Sequence, residues 1–298
     1  MKVVIIGGVA GGATAAARIR RLDEKAEIVV FERSGFISYA NCGLPYYIGG
    51  TIEDEGDLTL QTPESFYKRF RVKMNVRHEV TALHPESKMV TVKNIENGTV
   101  FTETYDKLIL SPGAKPIKPN FEGIDSDKIF TLRTVEDTLK IKKFINEKYP
   151  KSAVVVGGGF IGIEVAENLR ELGIDVTLVE AADQLMAPFD SDMASFIHAE
   201  LRKNGINLML GRFVEGFADT DDGICVKLKN SPTLHANMVV MAIGVAPETT
   251  LAKDAGLELG IKGSIVVNDR HLCCRRCSSD QEFCNRYRRS DLPCRSCQ

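Results

Sequence analysis

Two glycine-rich turns, each set between a short apolar strand and a helical stretch, constrain this 298-residue chain more than any other feature. The first is Gly7-Gly8-Val9-Ala10-Gly11-Gly12, which follows the apolar run Lys2 to Ile6 and opens an Ala-rich helical stretch, Ala10 to Leu22. The second is Gly157-Gly158-Gly159-Phe160-Ile161-Gly162, which follows Ala153 to Val156 and opens a helix reaching about Leu172. In the G-x-G-x-x-G pattern the glycines allow a tight turn and close approach of a pyrophosphate to a helix N-terminus. Each unit continues into a second strand that ends in an acid: Glu27 to Phe31 before Glu32, and Asp175 to Val179 before Glu180. An acid there suits ribose hydroxyls. The second turn is complete, whereas the first carries Val9 at its second glycine and is supported by its strand–turn–helix–strand–acid context. Two such units predict two dinucleotide sites. No Arg or Lys follows Glu180 through Gln184. That favours NADH over NADPH, because a carboxylate binds a 2′-hydroxyl and repels a 2′-phosphate.

Between the two turns lies Ser38-Tyr-Ala-Asn-Cys42-Gly-Leu-Pro-Tyr-Tyr-Ile-Gly-Gly50, and the first 270 residues contain only one other cysteine, Cys225. Cys42-Gly-Leu-Pro-Tyr reads as the start of a helix with Pro45 in its first turn. A thiol at a helix start has its thiolate favoured. The competing reading is a small buried core cysteine, which free cysteines usually are, and on the residues alone it carries more weight. A thiol flanked by two dinucleotide sites suggests electrons passing from a nicotinamide, through a second dinucleotide such as FAD, to sulfur. Cys225 lies in an alternating run and is given no role. The five histidines show no ligand spacing and read as surface or hydrogen-bonded residues.

The remaining chain alternates between α and β patterns. Thr62-Pro63-Glu64 reads as a capped helix start. Residues 72–105 alternate like antiparallel strands, with Asn97-Gly98 as a hairpin turn. Asp106 to Leu110 reads as a strand closed by Ser111-Pro-Gly113-Ala-Lys-Pro116, and Thr134 to Lys148 as a helix. Met238 to Ala242 is a further strand, closed by Ile243-Gly244-Val-Ala-Pro247. The two closing turns echo each other, as if the chain leaves one domain at the first and returns at the second.

Composition excludes several classes. A net charge of −2 makes no electrostatic case for nucleic acid or an anionic membrane. No stretch is apolar for long enough to span a bilayer, so no membrane partner is expected. The N-terminal apolar run is broken by Gly7, Gly8, Gly11 and Gly12 and followed by Arg18, Arg20 and Arg21, so it does not read as a signal peptide. With two cysteines before residue 271, a reducing cytoplasm is the expected location.

Together these residues resemble the pyridine nucleotide-disulfide oxidoreductase family, and within it the coenzyme A-disulfide and persulfide reductases. The resemblance covers residues 1 to about 270 and is most specific over Ser38 to Gly50. It implies an α/β fold of two Rossmann-like three-layer domains, one FAD-binding and one NAD-binding, the second inserted in the first. Residues 1–115 and 244–270 would form the FAD-binding domain and 116–243 the NAD-binding domain. Gly7, Gly8, Gly11, Gly12, Glu32 and Gly113 would hold FAD, and Gly157, Gly159, Gly162, Glu180 and Gly244 would hold NADH. Cys42 would be the catalytic thiol. Thr14, Arg18, Arg21, Ser38 and Asn41 would line a coenzyme A site, and the arginines suit its phosphates. The implied reaction is NADH-linked, FAD-dependent reduction of CoA disulfide, or of a CoA persulfide or polysulfide, through a Cys42–CoA mixed disulfide.

Two departures narrow the subgroup. Members with two redox cysteines use C-x4-C, but Tyr47 stands five residues after Cys42. The second sulfur then comes from the substrate, or Cys42 cycles through sulfenic acid. The NADH oxidases and peroxidases of the latter kind usually carry His in the first glycine loop, where this chain has Ala10. They remain the alternative enzyme reading.

From His271 the composition changes: the last 28 residues hold six of the eight cysteines and six arginines. Cys274-x2-Cys277 and Cys294-x2-Cys297 match a four-cysteine zinc spacing. That gives a third reading, a non-catalytic nucleotide-binding fragment with a zinc-binding tail. The family's second FAD motif, T-x-x-P-x-I-Y-A-V-G-D-A, should follow Val267-Asn268 and is absent. Back-translation from the second base of the His271 codon permits IYAVGDA and further family-like sequence. A frameshift near Asp269–Arg270 is therefore expected, with no metal site, an aberrant tail over 271–298, and no C-terminal interface domain through which family members form homodimers.

Overall fold

The computed structural model describes residues 1–267, so the expectations about residues 268–298, the zinc spacing and the shifted frame included, lie outside the described residues. Strands Lys73–Asn75, Glu27–Phe31, Lys2–Ile6 and Lys107–Leu110 form a parallel sheet in that spatial order. Alternate residues of its strands serve two different cores, as period-2 geometry requires. Val3, Ile5, Ile28 and Val30 pack against helix α1 (Ala10–Leu22). Val4, Ile6, Val29 and Phe31 pack against Val80, Leu83, Val90 and Val92. Those last residues belong to an antiparallel sheet of His78–His84, Met89–Asn94 and Val100–Thr104. The result is three layers: helix, parallel sheet, antiparallel sheet.

A second unit repeats the plan. Strands Asn207–Met209, Asp175–Val179, Ser152–Val156, Met238–Met241 and Ile129–Thr131 form a parallel sheet. Both faces of its strands are buried, which accounts for runs such as Ala-Val-Val-Val and Met-Val-Val-Met. One face packs against helices. The other packs against the antiparallel strands Val214–Asp219, Ile224–Leu228 and Leu234–Ala236. In chain order this unit lies inside the first. The segments Ala114–Pro116 and Val245–Pro247 pair as antiparallel strands between the two sheets, and Leu251 and Ala255 then rejoin the core of the first unit.

One strand differs from the sequence reading. Residues 72–105 were expected to be antiparallel throughout, but Lys73–Asn75 pairs parallel with Glu27–Phe31. Three residues are too few to show the direction of their partner, and the hydrogen bonds that decide it are tertiary. The hairpin turn holds: Gly98 has φ +74, and its N–H donates to the Asn94 carbonyl at 2.9 Å.

The helices that matter for the site have identifiable starts and stops. Helix α2 (Leu44–Gly49) carries Pro45 in its first turn and ends at Gly50, whose φ of +90 is the left-handed geometry glycine adopts freely. Thr62 caps α3 (Pro63–Phe70) and Thr134 caps α4 (Val135–Lys148), each in a reciprocal capping box. Helix α5 (Phe160–Glu171) opens from the second glycine turn.

Candidate functional site

The two glycine turns are built alike, atom for atom in their tightest contacts. Gly7 has φ +97 and Gly157 has φ +111, where a side chain would be strained. A Cβ on Gly12 would lie 1.7 Å from the Gly7 carbonyl oxygen, and one on Gly162 would lie 1.9 Å from that of Gly157. No side chain fits at either helix position, so each helix starts hard against its own strand. The acids complete the match. Glu32 accepts from the N–H groups of Gly8 at 2.7 Å and Ser34 at 2.8 Å. Glu180 accepts from Gly158 at 2.6 Å and Ala182 at 2.8 Å. Each carboxylate oxygen keeps acceptor capacity for a ribose hydroxyl.

Val9, at the second glycine of the first turn, packs part-buried against the apolar cluster that contains Tyr39, Leu44 and Ile48. Its counterpart Gly159 has no heavy atom within 4 Å of a Cβ position. The imperfect fingerprint is therefore a packing exchange: Val9 fills a gap between the units, and the second turn leaves that space open.

Each turn opens on a cleft. One of about 330 Å³ is lined by Gly7, Glu32, His78, Pro112, Glu248 and Thr250, among others. Another of about 420 Å³ is lined by Gly157, Gly158, Gly159, Glu180, Arg212 and Gly244, among others. Gly113 (φ +76) accepts from the Glu248 N–H at 3.0 Å, and Gly244 (φ +117) accepts from Ile117 at 3.0 Å, so both belong to the crossover between the units. Gly11 lies half-buried in the first turn of α1. In both clefts the glycine cradle and the pinned acid fit the adenosine and pyrophosphate parts of a dinucleotide.

The cysteine stretch sits between these turns. Cys42 lies in the 3-10 turn Asn41–Gly43 just before α2, and its side chain is exposed. The buried-core reading of this residue therefore fails. Tyr39, Leu44, Ile48 and Leu58 beside it are buried, and they pack with Val165, Leu169 and Ile141 of the second unit rather than on the first sheet. The Ser38 N–H donates to the Gly8 carbonyl at 3.1 Å, tying the stretch to the first turn. Ser38 has φ +47, a left-handed geometry that is uncommon for a residue other than glycine. At the far end, Lys142 Nζ donates to the Ile48 carbonyl at 2.8 Å and satisfies the C-terminus of α2.

Several residues here escaped sequence reading. Arg133 donates from Nη1 to Asn41 Oδ1 at 2.8 Å, and a Cβ on Gly113 would lie 3.4 Å from its Nη2. One guanidinium thus joins the cysteine stretch to the Ser111–Pro116 turn. Asn168 is 1% exposed, donates from Nδ2 to the Glu164 carbonyl, and turns an unpartnered Oδ1 toward Gly49. Burial, with Glu167 adding to it, raises the Glu164 carboxyl above its usual range. Burial also pushes the Tyr39 hydroxyl up to about 12, keeping it neutral beside the stretch.

Thr14, Arg18 and Arg21 are exposed at i, i+4 and i+7 on α1, one face of the helix. The neighbouring Arg20 is structural: it donates to the carbonyls of Phe70, Arg71 and Glu24. Ser38 and Asn41 lie on the cysteine stretch, and among the described residues no hydrogen bond or ion pair joins them to the helix face. Among the described residues, His78 is hydrogen-bonded to Val76, His84 to Thr91, and His198 to Leu185. Cys225 lies opposite His235 on paired strands, with Sγ 3.3 Å from Nδ1. Among the described residues there is no group of three metal-ligating side chains, and no helix long and apolar enough to cross a membrane.

Comparison with known proteins agrees with this architecture. The profile of the family described as pyridine nucleotide-disulphide oxidoreductase matches residues 1–276. A coenzyme A disulfide reductase of Staphylococcus aureus is 40% identical over 269 residues, which is 90% of this chain and 60% of that protein. The structure of reduced Bacillus anthracis CoADR-RHD superposes with a TM-score of 0.87 at 48% identity, covering 90% of this chain and 48% of that one. An NAD-dependent persulfide reductase from A. fulgidus gives 0.85 at 36% identity, covering 90% of this chain and 50% of that one. The chain thus spans between about half and three-fifths of the length of these relatives.

Proposed function

The chain belongs to the pyridine nucleotide-disulphide oxidoreductase family, and from that premise we propose that it reduces CoA disulfide, or a CoA persulfide, at the single thiol of Cys42. One observation carries the reading: Cys42 is exposed on a stretch tied by Ser38 to the first glycine turn and packed through Leu44 and Ile48 on the second unit. Residues 1–115 and 244–270 then form the FAD part, with Gly7, Gly12, Glu32 and Gly113 about the dinucleotide. Residues 116–243 form the nicotinamide part, with Gly157, Gly162, Glu180 and Gly244.

When bound, FAD supplies the relay that takes a hydride from the nicotinamide and returns two electrons to sulfur. The remaining work falls to the protein's own groups. The Cys42 thiolate attacks one sulfur of CoA–S–S–CoA, forming Cys42–S–S–CoA and expelling one CoA thiolate. Two electrons and one proton then break that bond, releasing the second CoA as its thiol and restoring the Cys42 thiolate. Arg133 holds Asn41 and so fixes the residue preceding the nucleophile. Thr14, Arg18 and Arg21 form an exposed polar and basic face suited to the phosphates of CoA. The intact protein acts as a homodimer in this reading, as its relatives' family implies.

The experiment is Cys42→Ser assayed with NADH and CoA disulfide. The variant should bind flavin as the parent does and lose CoA-disulfide reduction. Full turnover in Cys42→Ser would remove the assignment. Oxygen or peroxide accepting the electrons in place of CoA disulfide would instead favour the sulfenate oxidase reading, which Ala10 disfavours.

A further inference from the structure

Glu136, in the first turn of α4, belongs to the second unit but bonds to the first. Its Oε1 accepts the Gly35 N–H at 2.9 Å, from 101 positions away, and lies 3.5 Å from Arg77 Nη1. Gly35 sits in the loop that runs from Glu32 to the cysteine stretch. The neighbouring residue is held from within the first unit. The Ser34 N–H donates to Glu32 Oε1 at 2.8 Å, and the Arg77 N–H donates to the Ser34 carbonyl at 3.0 Å. Two successive N–H groups, of Ser34 and Gly35, thus go to two carboxylates from different units. Arg77 closes the remaining side. A Cβ on Gly35 would lie 2.6 Å from its Nη2, so the bare glycine lets the guanidinium lie against the peptide.

The same helix start holds the other end of the loop. Arg133, three residues before Glu136, donates to Asn41 Oδ1 at 2.8 Å. Asp137 accepts from the N–H groups of Arg133 and Thr134 at 3.0 Å each, which fixes the approach to the helix. Tyr39 lies among these groups. Its hydroxyl is pushed up to about 12 by burial, with Arg133 opposing and Glu32, Glu136 and Asp137 adding to it. The acid of the first cleft and both grips of α4 therefore share one cluster. Glu136 Oε2 is buried without a hydrogen-bond partner among the described residues. This carboxylate gives up solvation to hold a single N–H, whereas stability alone favours satisfying both oxygens.

We propose that Glu136 is a positioning residue: by holding Gly35 it sets the loop between Glu32 and Cys42, and so fixes both the acid of the first cleft and the thiol. This rests on the reading of that cleft as the FAD site and of Cys42 as the reacting thiol. It gives the second unit a hold on the first cleft that does not pass through the crossover strands Ala114–Pro116 and Val245–Pro247.

The test compares Glu136→Met with Glu136→Gln, which are similar in size and differ in whether an acceptor faces Gly35. Three quantities are read: FAD affinity by titration, the rate at which iodoacetamide alkylates Cys42, located by mass spectrometry, and Tm. Glu136→Met should weaken FAD about 3-fold to 10-fold, the worth of one hydrogen bond, and change the alkylation rate by a similar factor. Its Tm should stay within about 3 °C, because the substitution also removes the bare oxygen. Glu136→Gln should keep both functional readouts within about 2-fold of the parent. Its amide oxygen accepts from Gly35, and the partly exposed pair with Arg77 contributes little. Failure of Glu136→Met to fold, or a lower Tm with FAD affinity and alkylation rate unchanged, would make Glu136 a structural group and overturn the proposal. Equal losses in the two variants would overturn it as well. A parent protein that binds no FAD would instead remove the reading of the first cleft, and the proposal with it.

Discussion

Gly49, on the helix behind Cys42, meets Asn168 on the helix of the second glycine turn so closely that a Cβ on Gly49 would lie 2.1 Å from Asn168 Oδ1. This contact couples the stretch that carries Cys42 to the second unit mechanically. Helix α2 presses on α5 at a point where only glycine fits, and Cys42 lies in the turn that leads into α2. Gly49→Ala should force the two helices apart, costing about 1–3 kcal/mol as overpacking does. Chemical denaturation measures the loss. Turnover should fall further than flavin content, because the cysteine moves relative to both turns.

The two glycine turns contain one position that separates folding from binding. Gly162→Ala places a methyl 1.9 Å from the Gly157 carbonyl oxygen and should destabilise the fold by several degrees in Tm. Gly159→Ala meets no atom within 4 Å and has an ordinary φ of −84, so stability should stay within about 0.5 kcal/mol. The added methyl would face the pyrophosphate, so NADH affinity should drop. Equal Tm losses in the two variants would show that the open space at Gly159 is not a ligand space.

Acid should loosen the floor of the second cleft. Burial, reinforced by Arg202, holds the His198 imidazole below its ordinary value, and its Nε2 accepts the Leu185 N–H at 3.0 Å, which a protonated nitrogen cannot do. Leu185 in turn fills the space beneath Gly158. With the folded-state value depressed, the unfolded chain takes up the proton first as pH falls. The contribution is complete above the unfolded value of about 6.5 and is lost as pH drops through it toward the folded value. Thermal melts between about pH 7.5 and 5.5 should show a smaller decline for His198→Gln, which keeps an acceptor and does not titrate. An identical decline would place the acid sensitivity elsewhere.

Arg133 supplies a fourth test. Its bond to Asn41 spans 92 positions in the chain and holds the residue next to Cys42. Arg133→Ala should leave the fold intact and alter the rate at which iodoacetamide alkylates Cys42. An unchanged rate would mean that the stretch is held by α2 alone.

What could be read in advance was local. Strand, glycine turn, helix, strand and acid follow one another without a break in each unit, from Lys2 to Glu32 and from Ser152 to Glu180, so both were legible without neighbours. The echo between Ser111–Pro116 and Ile243–Pro247 was legible too, and parts of the two segments pair directly. Contacts between distant segments were not. The parallel pairing of Lys73–Asn75, the packing of Val9 between the units, and the placement of Arg133, Asn168 and Arg212 all depend on which strands and helices end up adjacent. The exposure of Cys42 belongs with these, because its apolar neighbours are buried by the second unit while the thiol itself is left outside.

The most direct measurement is to incubate the protein with CoA disulfide, digest it, and locate the bound CoA by mass spectrometry. The account predicts a CoA mixed disulfide on Cys42, absent in Cys42→Ser and released as CoA thiol when NADH is added to the FAD-loaded protein. CoA bound only at another cysteine such as Cys225, with Cys42 unmodified, would contradict it.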